Sequence, residues 1–228
     1  MKKKKYQLHN SYFKVSKRLG LPDTILEIAK FKEESGELPF NYSGNNWVYD
    51  AFCERQKYNG IKMSQYLTSD YTVDRMLHFA GKYFEDVWVL EPCCGTGQIT
   101  KELLKDGYNV AAFDIDQEMI DLCKMLYPDH SNIFEMSDFK DYSFQHNQII
   151  ANPPYEMPEM ALFMAWVLET LPFSGIAILL TPQGFIQKDK PKVLREILKQ
   201  FGILEREDVS EPFARTMIRA EIVVLKKI

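Results

Sequence analysis

The chain has 228 residues, 46% of them hydrophobic and 26% charged, which is typical of a soluble globular protein. No apolar run approaches the roughly 18 residues that a membrane span needs, and the lysines at positions 2–5 are not followed by the apolar stretch of a secretion signal. The four cysteines show no metal-ligand spacing with histidine. Length and composition therefore predict a cytoplasmic protein with no membrane segment, no metal site and no disulfide framework.

The net charge of −4 is unevenly distributed along the chain. Residues 1–62 contain 12 Lys and Arg against 7 Asp and Glu, a net charge of +5, whereas residues 63–228 contain 16 against 25, a net charge of −9. A basic segment beside an acidic body can attract a phosphate backbone, and a solvated terminus without a ligand is the alternative. We therefore divide the chain into a basic N-terminal extension, residues 1–62, and a main domain, residues 63–228.

The N-terminal extension is predicted to be helical and lacks a strand pattern. Asp23, after Pro22, is the predicted N-cap of a first helix, whose apolar residues follow at helical spacing. Gly36 and Pro39 end that pattern. A second helix is predicted over residues 47–58.

From residue 87 onward, short apolar strands alternate with amphipathic helices. The predicted strands are residues 87–90, 110–113, 133–134, 148–151, 176–180 and 222–225, and the predicted helices are residues 99–104, 119–126, 160–171 and 193–201. Such alternation predicts parallel βαβ units, and continuous apolar strands fit a sheet that is covered on both faces. The fold class is therefore α/β, with a doubly wound sheet.

Polar side chains follow four consecutive strands of this sheet, at Glu91, Asp114, Asp138 and Asn152. In doubly wound sheets, ligands bind beyond the carboxyl ends of the strands. We therefore expect these four side chains to converge on one site.

A glycine loop joins the first of these strands to the helix after it, where residues 91–97 read Glu-Pro-Cys-Cys-Gly-Thr-Gly. A dinucleotide-binding loop would have a third glycine where Thr100 stands. The carboxylate of Glu91 would repel a pyrophosphate, but it suits a cationic ligand such as the methionine end of S-adenosylmethionine. A structural turn that binds no ligand is the alternative.

The ends of the next two strands carry residues that suit the ribose and the adenine of S-adenosylmethionine. Asp114 can accept hydrogen bonds from both ribose hydroxyls, and Ile115 can pack on the adenine. Asp116 is the predicted N-cap of the following helix. Asp138, next to Phe139, can accept from the adenine amine, although an exposed turn is an alternative role for this residue.

The fourth strand ends in Asn152-Pro153-Pro154-Tyr155. Two prolines remove two backbone donors and stiffen this segment. The Asn152 side-chain oxygen and the Pro153 carbonyl can then both accept from one –NH₂ group and aim its lone pair at a methyl donor. Tyr155 offers an aromatic face on which a planar substrate can stack. The motif predicts methylation of a planar nitrogen, achieved mainly by positioning.

The segments 91–97 and 152–155 together resemble class I S-adenosylmethionine-dependent methyltransferases, and within them the amino-methylating DNA methyltransferases of the adenine-N6 type. Residues 66–69, Tyr-Leu-Thr-Ser, resemble the cofactor-flanking motif of that group, with Ser69 where proline is usual. The resemblance covers residues 64–228. It implies a Rossmann-like sheet of seven strands whose last strand runs antiparallel, with a small helical N-terminal extension.

The resemblance also implies the residues of the site and S-adenosyl-L-methionine as the cofactor. The implied cofactor-binding residues are Thr68, Glu91, Pro92, Cys93, Gly95, Gly97, Asp114, Ile115, Asp138 and Phe139. The implied catalytic residues are Asn152, Pro153, Pro154 and Tyr155. Phe213 and Arg215, in the segment before the last strand, are expected to contact the substrate, with Arg215 at a phosphate.

The expected partner is nucleic acid, with DNA favoured over RNA. Restriction-type members of the family carry a sizeable recognition domain, so sequence recognition here is expected from residues 1–62, from a separate specificity partner, or not at all. Three alternatives remain: an adenine or guanine amine methyltransferase of structured RNA, a protein glutamine methyltransferase, and a non-catalytic partner subunit. The pair Glu91-Pro92 disfavours the glutamine enzymes, and the intact motif at 152–155 argues against a non-catalytic subunit.

Overall fold

The computed structural model describes residues 5–59, 66–187, 191–210, 212–213 and 218–228. Arg215, the lysines at positions 2–4 and the predicted domain boundary at residue 62 lie outside these described residues.

A central sheet and two groups of helices make up most of the molecule. The strands are β1 (Tyr6–Gln7), β2 (Phe40–Asn41), β3 (Trp88–Pro92), β4 (Asn109–Asp114), β5 (Phe134–Met136), β6 (Gln148–Ala151), β7 (Ile176–Pro182), β8 (Phe201–Val209) and β9 (Ala220–Lys227). The α-helices are α1 (Phe13–Leu19), α2 (Ile25–Ser35), α3 (Trp47–Asn59), α4 (Asp70–Tyr83), α5 (Gln98–Lys105), α6 (Gln117–Leu126), α7 (Glu159–Thr170) and α8 (Lys192–Leu198).

Seven strands form one sheet in the order β5-β4-β3-β6-β7-β9-β8. Strands β3 to β7 pair in parallel, and β9 runs antiparallel to both of its neighbours, β7 and β8. The prediction of a seven-stranded α/β sheet with an antiparallel last strand is therefore confirmed. The strand order reverses between β3 and β6, and a crevice for a ligand is expected at such a reversal.

Alternate residues along the strands point to opposite faces of the sheet. On one face, Val89 and Ile150 pack with helices α4, α5 and α6. On the other face, Leu90 and Ile149 pack with helices α7 and α8. Both faces are thus covered, which explains why the central strands are continuous apolar runs.

The N-terminal elements form a third layer, which packs on the outer side of α6. A third apolar cluster joins residues of α1, α2 and α3 to Met119 and Leu122 of α6. Arg55 of α3 lies 4.0 Å from the Glu118 carboxylate of α6. The layer is thereby held beside the helix that follows β4.

Two predictions for the N-terminal extension are wrong. It contains a strand pair, in which Tyr6 and Gln7 of β1 pair in parallel with Phe40 and Asn41 of β2. Each strand is two residues long, too short for an alternating pattern to appear in the sequence. The predicted cap Asp23 instead accepts a hydrogen bond from the Ser16 hydroxyl at 2.6 Å.

Thr24 is the N-cap of α2. Its hydroxyl accepts from the Glu27 amide at 3.1 Å, and the Glu27 carboxylate accepts from the Thr24 amide at 3.0 Å. This reciprocal pair is a capping box. It satisfies two backbone donors, and for this reason the helix begins one residue later than predicted.

The helix predicted over residues 193–201 ends at Leu198, and β8 begins at Phe201. The strand is formed because residues 201–209 pair along β9, with Phe201 opposite Lys227. The sequence of β8 gave no such signal, since its centre carries Glu205, Arg206 and Glu207 on a partly exposed edge strand. Among the described residues, no helix is both long and apolar enough to cross a membrane.

Candidate active site

A cavity of about 330 Å³ opens beyond the carboxyl ends of β3, β4 and β6, where the strand order reverses. Of the residues predicted from sequence, it is lined by Thr68, Glu91, Cys93, Gly95, Asp114, Ile115, Asp138, Phe139, Asn152, Pro153 and Pro154. The four polar strand ends thus meet at one cavity. In the part of the chain that the structure describes, Pro92, Gly97, Tyr155 and Phe213 lie outside this lining.

The glycine loop turns sharply at the base of the cavity. Cys93, Gly95 and Gly97 all have positive φ angles, of 59°, 54° and 72°. This backbone conformation favours glycine. A side chain at position 97 would also meet Tyr127 at 2.8 Å and the Cys123 sulfur at 3.2 Å. Gly97 therefore allows α6 and its C-terminal residues to pack closely behind the loop, while Gly95 faces the cavity.

Glu91 is a buried carboxyl group, 1% exposed, at the end of β3. Its Oε2 accepts a hydrogen bond from the Thr100 hydroxyl of α5. Burial raises the pKa of Glu91 to about 8, and the nearby Asp114 carboxylate adds to the increase. A cationic ligand in the cavity would favour the ionised form of Glu91.

Asp114 is held rigidly by backbone amides at the end of β4. Its Oδ2 accepts from the Gly95 amide at 2.9 Å, and its Oδ1 accepts from the Asp116 amide at 2.9 Å. Burial raises the pKa of Asp114, and these amide hydrogen bonds oppose the increase. Each oxygen retains a lone pair for a ligand hydroxyl. The predicted N-cap role of Asp116 is confirmed, since its Oδ1 accepts from the Glu118 amide at 3.0 Å.

Asp138 and Phe139 form a further part of the wall. Asp138 caps a short 3₁₀ turn, Phe139–Asp141, with its Oδ1 3.1 Å from the Lys140 amide. The Lys140 ammonium lies 3.4 Å from its other oxygen. Phe139 is mostly buried and packs against Phe163, with ring centroids 5.4 Å apart. Ile115, in contrast, exposes 51% of its surface.

The Asn152 side chain is fixed by the segment that precedes α4. Its Nδ2 donates to the Tyr66 carbonyl at 2.8 Å and to the Thr68 hydroxyl at 3.2 Å. Both hydrogens of the amide are thereby used inside the protein. The remaining polar atom, Oδ1, is the acceptor that Asn152 can offer to a ligand.

Tyr155 lies beside Asn152 in an aromatic cluster with Tyr66 and Phe213. The ring centroid of Tyr155 is 6.3 Å from that of Tyr66 and 5.5 Å from that of Phe213. Its hydroxyl is buried, and within the described ranges no group hydrogen-bonds to it. Burial raises the pKa of Tyr155 well above its usual value. Tyr155 therefore contributes an aromatic ring rather than an acid or a base.

Several residues that line the cavity were not predicted from the sequence. Phe52, from α3, lines the wall together with Met119 of α6, and nothing in the helical spacing of residues 47–58 indicated this. Tyr66 and Leu67 also line it, and they could have been included because they stand beside Thr68 in the recognised segment. Gln98, at the start of α5, is a further missed residue.

The cavity has the chemistry that S-adenosylmethionine requires. Glu91 and Asp114 place two carboxyl groups on its wall, and Ile115 adds an apolar side chain. These side chains suit a cationic methionine end, ribose hydroxyls and an adenine, respectively. Together with the strand order, they are the features expected of a class I methyltransferase site.

Comparison with known proteins agrees with that class. Residues 89–151 match the family described as a methyltransferase domain. The type II methyltransferase M.VspI of Vibrio sp. (strain 343) is 25% identical over an alignment of 169 residues, which covers 60% of this chain and 41% of the relative. The chain therefore spans less than half the length of this curated relative.

Solved structures show the same fold. A putative RNA methyltransferase, PH1948 from Pyrococcus horikoshii, is 19% identical and has a TM-score of 0.61, covering 75% of this chain and 90% of that one. A putative class I S-adenosylmethionine-dependent methyltransferase from Listeria monocytogenes is 16% identical and has a TM-score of 0.62, covering 90% and 68%. The chain thus has the fold of the class I S-adenosylmethionine-dependent methyltransferases and a methyltransferase domain over residues 89–151, and S-adenosyl-L-methionine is the cofactor that this fold and domain imply.

Proposed function

We propose that this protein transfers a methyl group from S-adenosylmethionine to the exocyclic N6 amine of adenine in DNA. The orientation of Asn152 carries this proposal. Because Asn152 Nδ2 donates hydrogen bonds to the Tyr66 carbonyl and the Thr68 hydroxyl, the atom that Asn152 offers to the cavity is Oδ1, which is an acceptor and not a donor. An acceptor suits a substrate that carries an –NH₂ group.

The cofactor would lie along the ends of β3 and β4. Glu91 and the Gly95 loop would hold the methionine end, and Asp114 would accept from the ribose hydroxyls. Ile115, Asp138 and Phe139 would surround the adenine. Bound in this way, the cofactor supplies an electrophilic methyl group on a sulfonium centre.

The residues of this chain would act mainly by positioning. Asn152 Oδ1 and the Pro153 carbonyl would each accept one hydrogen of the target amine, which directs the nitrogen lone pair toward the cofactor side of the cavity. The nitrogen would form its new bond to carbon as the sulfur–carbon bond breaks, and one amine proton would then pass to solvent. No strong base is required, because alignment of the reacting atoms supplies most of the acceleration.

Tyr155, Tyr66 and Phe213 would hold the plane of the target base. Stacking on an aromatic ring is worth about 1–3 kcal/mol per base. A base in a duplex must leave the stack to reach such a pocket, at a cost of a few kcal/mol. We therefore expect faster methylation of mismatched or single-stranded adenine than of adenine in a matched duplex.

Two observations support a nucleic-acid substrate, and one of them favours DNA. The similarity to a type II methyltransferase favours DNA. The net charge of +5 of residues 1–62 suits the phosphate backbone of either nucleic acid. A separate partner that provides sequence specificity is compatible with both.

A panel of methyl acceptors tests this proposal. Tritiated S-adenosylmethionine is supplied with duplex DNA, single-stranded DNA, transfer RNA, ribosomal RNA and a protein release factor in parallel. We expect label in DNA, with more in single strands than in duplex. Label confined to RNA or to the release factor would assign the enzyme to another substrate class.

A further inference from the structure

The segment before α4 forms two hydrogen bonds with the side chain of Asn152, in the motif at 152–155. Thr68 is 4% exposed, and its hydroxyl lies 3.2 Å from Asn152 Nδ2, across 84 positions of sequence. The Tyr66 carbonyl, two residues earlier, accepts from the same nitrogen at 2.8 Å. One short stretch of chain thus provides both acceptors for the amide of Asn152.

This stretch is itself anchored by backbone pairing. Thr68 forms an antiparallel bridge with Phe213, and the Ser69 amide donates to the Pro212 carbonyl at 3.0 Å. The Ser69 side chain then caps α4, accepting from the Thr72 amide at 3.3 Å. Thr68 is therefore held between the start of α4 and the segment 212–213.

Two orientations of an asparagine amide differ in which atom, oxygen or nitrogen, faces the ligand. Rotating the amide by half a turn would place Oδ1 against the Tyr66 carbonyl, which cannot donate, whereas the Thr68 hydroxyl can donate or accept and would pair with either orientation. The rotated amide therefore loses the hydrogen bond to Tyr66 and leaves that carbonyl unpaired. The Tyr66 carbonyl thus selects the orientation that can bind an amine, and the Thr68 hydroxyl holds the amide there by accepting its second hydrogen.

We propose that Thr68 is a positioning residue for Asn152: the Tyr66 carbonyl sets the orientation of the amide, and the Thr68 hydroxyl, by accepting its second hydrogen, holds it in place so that Oδ1 faces the target amine. This inference rests on the proposed function. It differs from the sequence-based expectation that Thr68 binds the cofactor. The Tyr66 carbonyl is a backbone group, so Thr68 is the member of the pair that a substitution can remove.

Thr68→Val tests the role, because it preserves shape and removes the acceptor. At saturating cofactor and with a single-stranded adenine-containing oligonucleotide, we expect the single-turnover rate to fall about tenfold, the effect of one hydrogen bond. Affinity for S-adenosylhomocysteine, measured by calorimetry, should change less than twofold. Thr68→Ser, which keeps the hydroxyl, should restore most of the rate.

Thr170→Val is the matched control. Thr170 is also 4% exposed, but it lies at the C-terminal end of α7, where its carbonyl accepts from the His146 amide just before β6, at the end of the strands opposite to the cavity. This variant should keep the wild-type rate. If Thr68→Val weakened S-adenosylhomocysteine binding tenfold and left the saturated rate unchanged, Thr68 would be a cofactor ligand. An unchanged rate and an unchanged affinity would also overturn the proposal.

A measurement without substrate separates this inference from the proposed function. In an NMR spectrum of the protein with S-adenosylhomocysteine, the two Asn152 side-chain amide protons should exchange slowly with water, and Thr68→Val should accelerate at least one of them. Equal exchange in both proteins would refute the positioning role. If the wild type methylated no adenine but the exchange difference appeared, only the proposed function would fail.

Discussion

The carboxyl group of Glu91 is buried where water cannot stabilise its charge, and its pKa rises from 4.5 to about 8. The unfolded chain releases this proton near pH 4.5, whereas the folded protein retains it until about pH 8. Between these values, the native state binds more protons than the unfolded state. The contribution of Glu91 to the free energy of unfolding is therefore fully present below pH 4.5 and decreases as the pH rises to about 8.

We expect Glu91→Gln to raise the melting temperature of the cofactor-free protein at pH 8.5 relative to wild type, and to raise it less at pH 5. The amide avoids the cost of burying a charge, which is on the order of several kcal/mol. The same variant should bind S-adenosylmethionine at least tenfold more weakly, since it loses a carboxylate near the cationic centre. Thermal unfolding at both pH values and calorimetry measure these effects.

Glu102→Gln on α5 is the control for this substitution, because Glu102 is partly exposed and forms surface ion pairs with Lys101 and Lys105. It should change neither cofactor affinity nor the difference in stability between pH 5 and pH 8.5, because the lowered pKa of Glu102 affects stability only at more acidic pH. An equal effect of both variants would show that burial of Glu91 has no special role.

The ring of Tyr155, and not its hydroxyl, is expected to support methylation. Because its hydroxyl has no hydrogen-bond partner among the described residues, Tyr155→Phe should keep most of the methylation rate. Tyr155→Ala should lower the rate on a single-stranded oligonucleotide by about ten- to a hundredfold, which corresponds to the loss of 1–3 kcal/mol of stacking. A Phe variant as inactive as the Ala variant would show that the hydroxyl, and not the ring, is needed.

The glycine loop between β3 and α5 depends on a small residue at position 97. Gly97→Ala should destabilise the protein by several kcal/mol, because the new methyl group meets Tyr127 and Cys123 in addition to the strain of a positive φ. Gly107→Ala is the matched control, since Gly107 has a φ of 87° and open space around it. Urea unfolding of the two variants separates the clash from the strain, and equal losses would contradict the packing role of Gly97.

The strands that position the site could be predicted from the sequence, because buried parallel strands are continuous apolar runs with polar ends. The same reasoning could place Glu91, Asp114, Asp138 and Asn152 together. It could not find β8, whose polar centre around Arg206 depends on pairing with β9. Nor could it find the contact of Thr68 with Asn152, since spacing within a motif does not reveal contacts across 84 positions.

At the scale of the whole molecule, the N-terminal layer contributes to the cofactor cavity as well as carrying basic charge. Phe52 of α3 is buried against Leu67 and Met119 and lines the cavity with them. A cofactor bound there would touch both the sheet domain and this layer. The sequence of residues 1–62 indicated only a role with substrate, because the apolar spacing of a helix does not reveal which element its apolar face packs against.

We therefore expect Phe52→Ala to weaken binding of S-adenosylhomocysteine about tenfold, since the cavity loses an aromatic wall worth roughly 1–2 kcal/mol of apolar contact. Phe31→Ala on α2 is the control, because Phe31 is 37% exposed and belongs to the same layer. Circular dichroism verifies that both variants fold, and calorimetry then measures their affinity for S-adenosylhomocysteine. Equal affinities for the Phe52 and Phe31 variants would remove the N-terminal layer from the cofactor site.

In the proposed mechanism, Asn152 holds the N6 amine of adenine while a methyl group is transferred to it. The most direct measurement supplies unmethylated DNA and isotopically labelled S-adenosylmethionine, digests the DNA to nucleosides and identifies the labelled product by mass spectrometry. We expect N6-methyl-2′-deoxyadenosine from the wild type and none from an Asn152→Ala variant that still binds S-adenosylhomocysteine. Label on another base, or equal amounts of product from both proteins, would contradict it.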